Sequence, residues 1–333
     1  MNGSEARTVL VTAAGTATAV NVINRLVQIP GIRIVTTDTN PRHLIAAPAR
    51  WNTTHYQVPP ATDAVAFVAK LAELCDREGV DAIYPIHDAE IFAVSEHGER
   101  LPSRVNRPRV TAESVWRTID KWLNFEICRN MHLPVPETIL GSALRPTDVE
   151  SARRLIGKPR QGVGSVGVRI VTRFEELASD TDLSDSVIYQ HVCEGLEYTI
   201  DAISQDDCFF SVARQRLETK AGVCTKARVF VDQKINTLAR RVASVFGLSG
   251  LFCFQVIGDI VSGELKIIDI NPRCGGGTAL SAAAGFPLYE LHFASMLGLD
   301  SASTFRQACE TRVAEGGEAI VCRYYEEVVT SKS

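Results

Sequence analysis

The sequence predicts an α/β protein: a doubly wound parallel domain at the N-terminus, followed by two α+β lobes. Three observations carry this. Over the first hundred residues, short apolar runs alternate with helical patterns, the signature of strands joined by crossover helices. Near residue 112 the pattern changes. Beyond residue 167, β-prone runs follow one another with Gly, Asp and Ser between them, as hairpin turns require.

In order, TVLVT (residues 8–12) is a first strand, followed by the turn AAGTATA and a helix near residues 20–28. IRIVTT (32–37) is a second strand ending at Asp38, 67–78 has helical periodicity, and AIYPI (82–86) is a third strand. Residues 106–110, with Pro108, form a connector. A helix over 118–131 ends before LPVPET, whose prolines cannot continue it. Strands follow at 167–172, 186–192, 198–204, 208–214, 251–257 and 264–270, with a long helix at 232–246 inserted among them. This reading divides the chain into residues 1–110, 111–188 and 189–333, against the two units that 333 residues suggest at roughly 150 per domain.

Composition narrows the class. The chain is 45% hydrophobic and 22% charged, with 35 Lys and Arg against 39 Asp and Glu, a net charge of -4. That balance leaves no basic footprint for nucleic acid. Mean hydropathy is high at +0.03, yet no window nears the ~18–20 apolar residues of a membrane helix. Nine cysteines with no CxxC pair suit neither a zinc site nor a disulfide framework, and several sit in apolar runs, so a reduced, cytoplasmic setting is expected.

Four stretches bear chemistry. AAGTATA follows the first strand but holds only Gly15, so it fails the dinucleotide fingerprint G-x-G-x-x-G; a tight turn or a helix N-terminus facing an anion remains. KPRQGVGSVGV (158–168) sets Lys158 before Gly162, Gly164, Ser165 and Gly167. Its backbone N–H groups can approach phosphate oxygens because glycine lacks Cβ, although a plain hairpin turn is an even alternative and no Walker A pattern occurs. In FCFQVIG and LKIIDINPR, period-2 alternation puts Asp269 and Asn271 on one face of a strand. If GDIVSGE turns the two strands into a hairpin, Gln255 joins them as a set of oxygen donors for a hard cation such as Mg²⁺; a strand end capped before Pro272 is the alternative. In VIYQHVCEGLEYTID a strand breaks at 191–195 and resumes with Glu197, which is either a nucleotide-binding break or an ordinary turn. His87, Asp88 and Glu90 read equally well as substrate contacts or as a helix N-cap with first-turn acids.

Taken together and in this order, these stretches resemble the ATP-grasp superfamily, and are most similar to the ATP-grasp halves of carbamoyl-phosphate synthase large subunits and related carboxylate–amine ligases. The resemblance spans roughly residues 120–287. It implies two lobes clasping ATP, with Lys121 and Lys158 on the phosphates and the loop 161–167, including Gly162, Gly164, Ser165 and Gly167, closing over them. Gln190, His191 and Val192 would form the adenine hinge and Glu197 would take the ribose. Gln255, Asp269 and Asn271 would hold Mg²⁺, with Mn²⁺ able to replace it. Arg273 would stabilise charge on the transferred phosphoryl group, and Arg214, Arg216 and Lys220 would face phosphate or a substrate carboxylate, with Arg216 a catalytic candidate and a solvated basic strand edge an even alternative. The family usually has Glu where this chain has Asp269. The implied activity activates a carboxylate as an acylphosphate and joins it to an amine, with amino-acid-type substrates. Bicarbonate activation and a non-catalytic ATP-binding regulator are the alternatives. The resemblance is compatible with a homodimer, and with no membrane or nucleic-acid partner.

Overall fold

The computed structural model describes residues 6–162, 166–177, 181–205, 208–220, 222–324 and 326–331. The first strand, β1 (Arg7–Val11), is followed by α1 (Ala17–Leu26), β2 (Ile32–Asp38), α2 (Ala46–Trp51), β3 (Thr54–Gln57), α3 (Ala64–Glu78), β4 (Ala82–Tyr84) and α4 (Asp88–His97). The four strands form a parallel sheet in the order β3-β2-β1-β4. Successive residues of β1 enter different cores: Val9 and Val11 pack with Ile23 of α1, and Leu10 packs with Leu71 of α3. Both faces are covered, which explains the unbroken apolar run.

Two helices follow, α5 (Ala112–Ile119) and α6 (Lys121–Asn130). The single helix expected over 118–131 is thus corrected to a break at Asp120. Its carboxylate accepts from Trp122 N at 3.1 Å and Leu123 N at 3.0 Å, so it caps a new helix rather than continuing the old one.

The second sheet contains β5 (Thr138–Leu140), β6 (Leu155–Pro159), β7 (Arg169–Val171) and β8 (Val187–His191), with α7 (Pro146–Ala152) between β5 and β6. It is antiparallel, in the order β5-β8-β6-β7.

The third sheet is built from β9 (Leu196–Gln205), β10 (Cys208–Lys220) and β11 (Val223–Phe230), then α8 (Gln233–Phe246), β12 (Gly250–Asp259) and β13 (Glu264–Asn271). After α9 (Thr278–Ala283), α10 (Leu288–Met296) and α11 (Ser301–Glu315), β14 (Glu318–Cys322) closes it as an edge. The order is β13-β12-β9-β10-β11-β14, antiparallel throughout. One face packs on α8 through Leu238, Val242 and Phe246. Part of the other, Ile203 and Leu251, shares a core with α10 and with β1 and α1 of the parallel sheet. The last described residues run back over the parallel sheet's side, where Arg50 pairs with Glu326 at 2.5 Å and Thr330 Oγ1 donates to His43 O at 2.6 Å.

Candidate active site

Strand pairing places the chemistry. β12 and β13 form the antiparallel hairpin that GDIVSGE predicts, with Gln255 directly opposite Asp269 and Cys253 opposite Asn271. On its other side Gln255 faces Thr199 of β9, which faces Arg214 of β10. A polar row Asp269–Gln255–Thr199–Arg214 therefore crosses four adjacent strands. All four side chains line a cleft of about 640 Å³ between the second and third sheets and the turns at one end of the parallel sheet. Among the predicted residues, Lys121, Lys158, Gly162, Gln190, His191, Glu197, Arg216, Asn271 and Arg273 also line it. Gly167 and Val192 do not, while neighbouring Val168 and Cys193 do. Gly164 and Ser165 lie outside the described residues.

Lys158, on β6, reaches across from the second sheet to the third. Its Nζ donates to Gln190 Oε1 at 3.0 Å and to the carbonyl of Ile268 at 3.2 Å. Burial disfavours its charge and lowers its pKa to about 8; nearby Asp269 opposes this shift and the positive Lys121 adds to it. Gln190 in turn donates to Thr138 Oγ1 at 3.0 Å. Gln190 thus orients the lysine, and the N–H of His191 is taken by the carbonyl of Glu137 at 2.9 Å. Lys121 opens α6 and donates to the carbonyl of Gly162 at 2.8 Å. Arg160 holds this helix start in place, its Nε lying 2.8 Å from both oxygens of Asp120.

The three arginines on the cleft wall are all paired. Arg214, expected to face a ligand, is almost wholly buried and grips Asp201 through Nε at 2.6 Å and Nη2 at 3.0 Å. Thr278 and Ser281 also donate to that carboxylate, at 2.7 and 2.6 Å. Arg216 pairs with Glu197 and donates to Gly222 O at 2.8 Å, while its Nε is buried without a partner among the described residues. Arg273 engages Asp88 of α4 through Nε at 2.7 Å and Nη2 at 3.1 Å, and this ion pair holds its pKa above even the usual arginine value despite burial. His87 and Glu90 take the capping reading: Glu90 accepts from His87 N at 2.9 Å and from Thr12 Oγ1 at 2.6 Å.

Among the described residues no group of three or more His, Cys, Asp and Glu is gathered as a metal site. The candidate set is one carboxylate and two amides. Oxygen donors of this kind fit a hard cation, and a single carboxylate leaves positive charge that phosphate oxygens can match. Asn271 Nδ2 donates to Asp269 Oδ2 at 2.9 Å, fixing both side chains.

Sequence reasoning missed Thr199, Thr18 and Cys253 on the wall, while Asp88, one of the possible substrate contacts, does line it. A signal existed for Thr199, which shares the period-2 face of Glu197. At the other suspected site, Asp38 is spent internally: it accepts from Gly15 N, Asn40 N and Asn40 Nδ2, each at 2.9 Å, which closes the turn against a dinucleotide ribose.

The model of the ATP-grasp domain family matches residues 118–277, the stretch that builds the cleft's two main walls. No curated protein sequence matches the chain. Solved structures match its fold at low identity. N5-carboxyaminoimidazole synthetase from Staphylococcus aureus, complexed with ADP, is 15% identical with a TM-score of 0.70, over 89% of this chain and 79% of its own. An L-amino acid ligase from Bacillus licheniformis is 12% identical with a TM-score of 0.69, over 92% and 77%. Biotin carboxylase from Campylobacter jejuni is 14% identical with a TM-score of 0.72, over 97% and 76%. The motif stretch, the two antiparallel sheets facing one cleft and the family match agree: the chain carries an ATP-grasp domain over residues 118–277.

Proposed function

We propose that the chain is an ATP-dependent ligase that phosphorylates a carboxylate and passes the acyl group to an amine, with an amino acid among its substrates. The observation that carries this is the convergence of Lys121 and Lys158 with the Asp269–Gln255 pair in one cleft. The printed names of the structural relatives, an amino acid ligase and a carboxyaminoimidazole synthetase bound to ADP, support the same class.

On this reading ATP and Mg²⁺ are the chain's cofactors. Lys121 and Lys158 neutralise phosphate oxygens from two neighbouring elements, with the glycine loop over them and Glu197 at the ribose. Gln255, Asp269 and Asn271 would hold Mg²⁺, which supplies charge neutralisation between phosphates. A carboxylate oxygen attacks the γ-phosphorus while the bond to the bridging oxygen breaks and ADP leaves. Positioning and charge stabilisation by the lysines and Arg273 supply most of the rate. The amine nitrogen then attacks the acyl carbon, loses a proton and expels phosphate. No nucleophilic side chain is required.

An ADP-release screen over amino acids, other carboxylates and bicarbonate, each with and without amines, tests this. Asp269→Asn should keep the fold and hold nucleotide affinity within roughly tenfold, while turnover falls by about two to three orders of magnitude. Normal turnover in that variant would remove Asp269 from the phosphoryl-transfer site, and ATP binding without ADP in any pairing would leave a regulator.

A further inference from the structure

A continuous line of hydrogen bonds leaves the candidate metal carboxylate and ends on a helix beside a different sheet. Asn271 donates to Asp269 at 2.9 Å, Arg273 Nη2 donates to Asn271 Oδ1 at 3.3 Å, and the Arg273 fork closes on Asp88 at 2.7 and 3.1 Å. The first three residues lie on β13 and the turn after it; the fourth, 185 positions away, opens α4 beside the parallel sheet. Asp88 is itself firmly placed. Glu90, two residues on in the same first turn, accepts from Ile86 N at 3.2 Å and His87 N at 2.9 Å, and from Thr12 Oγ1 of the turn after β1. A carboxylate in the first turn of a helix also sits favourably against the helix dipole.

We propose that Asp88 is a positioning residue for phosphoryl transfer: it fixes the plane of the Arg273 guanidinium at the end of the cleft where the phosphoryl group moves. The inference rests on the ligase reading above. An arginine stem has several rotatable bonds, and a two-point carboxylate contact removes most of that freedom before substrate arrives. A third contact, Nη1 to the carbonyl of Cys274 at 3.2 Å, completes the hold. Of the five guanidinium N–H groups, the protein contacts on the described residues engage four and leave one on Nη1 for a ligand. A simple strut between sheets would end at Arg273. This line continues through Asn271 to Asp269, so displacement of Asp88 is felt at the residue assigned to the metal.

The test compares wild type with Asp88→Asn and Asp88→Glu, using melting temperature, Mg·ATP affinity, capture of Mg·ADP with aluminium fluoride as a mimic of the moving phosphoryl group, and ADP release. Asp88→Asn is expected to hold Mg·ATP within about threefold, but to weaken the aluminium fluoride complex and kcat at least thirtyfold. Asp88→Glu, which keeps the charge and two oxygens, should recover part of both without a matching change in melting temperature. Equal capture of aluminium fluoride by wild type and a folded Asp88→Asn would overturn the proposal. So would losses that merely track melting temperature across the two variants. Because capture needs no acceptor, failure to find the acid or amine leaves this test standing; failure of wild type to bind Mg·ATP removes the ligase reading and this inference with it.

Discussion

At the scale of single residues, Lys158 makes the most specific statement. It lies half-buried between two sheets, with no carboxylate in hydrogen-bond contact among the described residues, and desolvation lowers its pKa from the ordinary 10.5 to about 8. The folded chain therefore binds this proton less tightly than the unfolded one. Ligand-free stability rises as pH climbs from about 8 towards 10.5. A phosphate in the cleft reverses the preference by favouring the ammonium, so nucleotide affinity falls with rising pH above about 8, by up to roughly tenfold per unit. Lys158→Arg keeps its charge throughout and should flatten that dependence. Calorimetric titration of Mg·ATP between pH 7 and 9.5 checks both, and a pH-independent wild type would mean that Lys158 does not touch phosphate. Lys158, Asp269 and Asn271 were legible because glycine spacing and period-2 alternation mark them. The partners of the arginines were not. Alternation assigns a face to Arg216 and Glu197, but only strand order makes them neighbours.

At the scale of elements, the hairpin β12–β13 sets the register that puts Gln255 opposite Asp269, and Gly258 controls it. Its φ is +146°, and a Cβ there would stand 1.9 Å from the carbonyl of Glu264. Gly258→Ala should cost about 2–4 kcal/mol and lower Mg·ATP affinity along with stability, read by denaturant unfolding and titration. Stability equal to wild type would mean that the hairpin tolerates a shift in register. Elements with unbroken or alternating apolar runs were legible, including β1, β2, β12 and β13. Strand β11, VCTKARVF, was missed because Lys226 and Arg228 on its outward side and the small or polar buried residues Thr225 and Ala227 break up the apolar run, and its edge is covered by β14 from far along the chain. β10 runs six residues past its expected end because a bulge between Arg216 and Thr219 lets pairing with β11 continue through charged residues.

At the scale of the molecule, the parallel sheet does not own its core. Tyr84 at the end of β4 packs edge-on against Phe293 of α10, with ring centroids 4.7 Å apart, inside a cluster that also holds Ile203 and Leu251 of the large sheet. Phe293 is fully buried, and Phe293→Ala should cost about 3–5 kcal/mol. Hydrogen exchange should show protection falling in β1 and β4 as well as in β9 and β12; loss confined to the large sheet would mean that the two sheets unfold independently. The order of elements was readable along the chain, but this sharing was not, since it joins residues two hundred positions apart and no local pattern encodes it.

The paired arginines have one more consequence. Each guanidinium on the cleft wall is matched by a carboxylate fixed in the fold, so towards solvent these groups act as oriented dipoles instead of bare charges. A dipole's potential fades with the square of distance and changes sign with direction. A ligand arriving from afar meets chiefly the two lysines, and only after entering does it meet a wall that distinguishes which way round it lies. On the ligase reading, that arrangement would let a chain of net charge -4 receive an anionic nucleotide at the two lysines despite its overall negative charge.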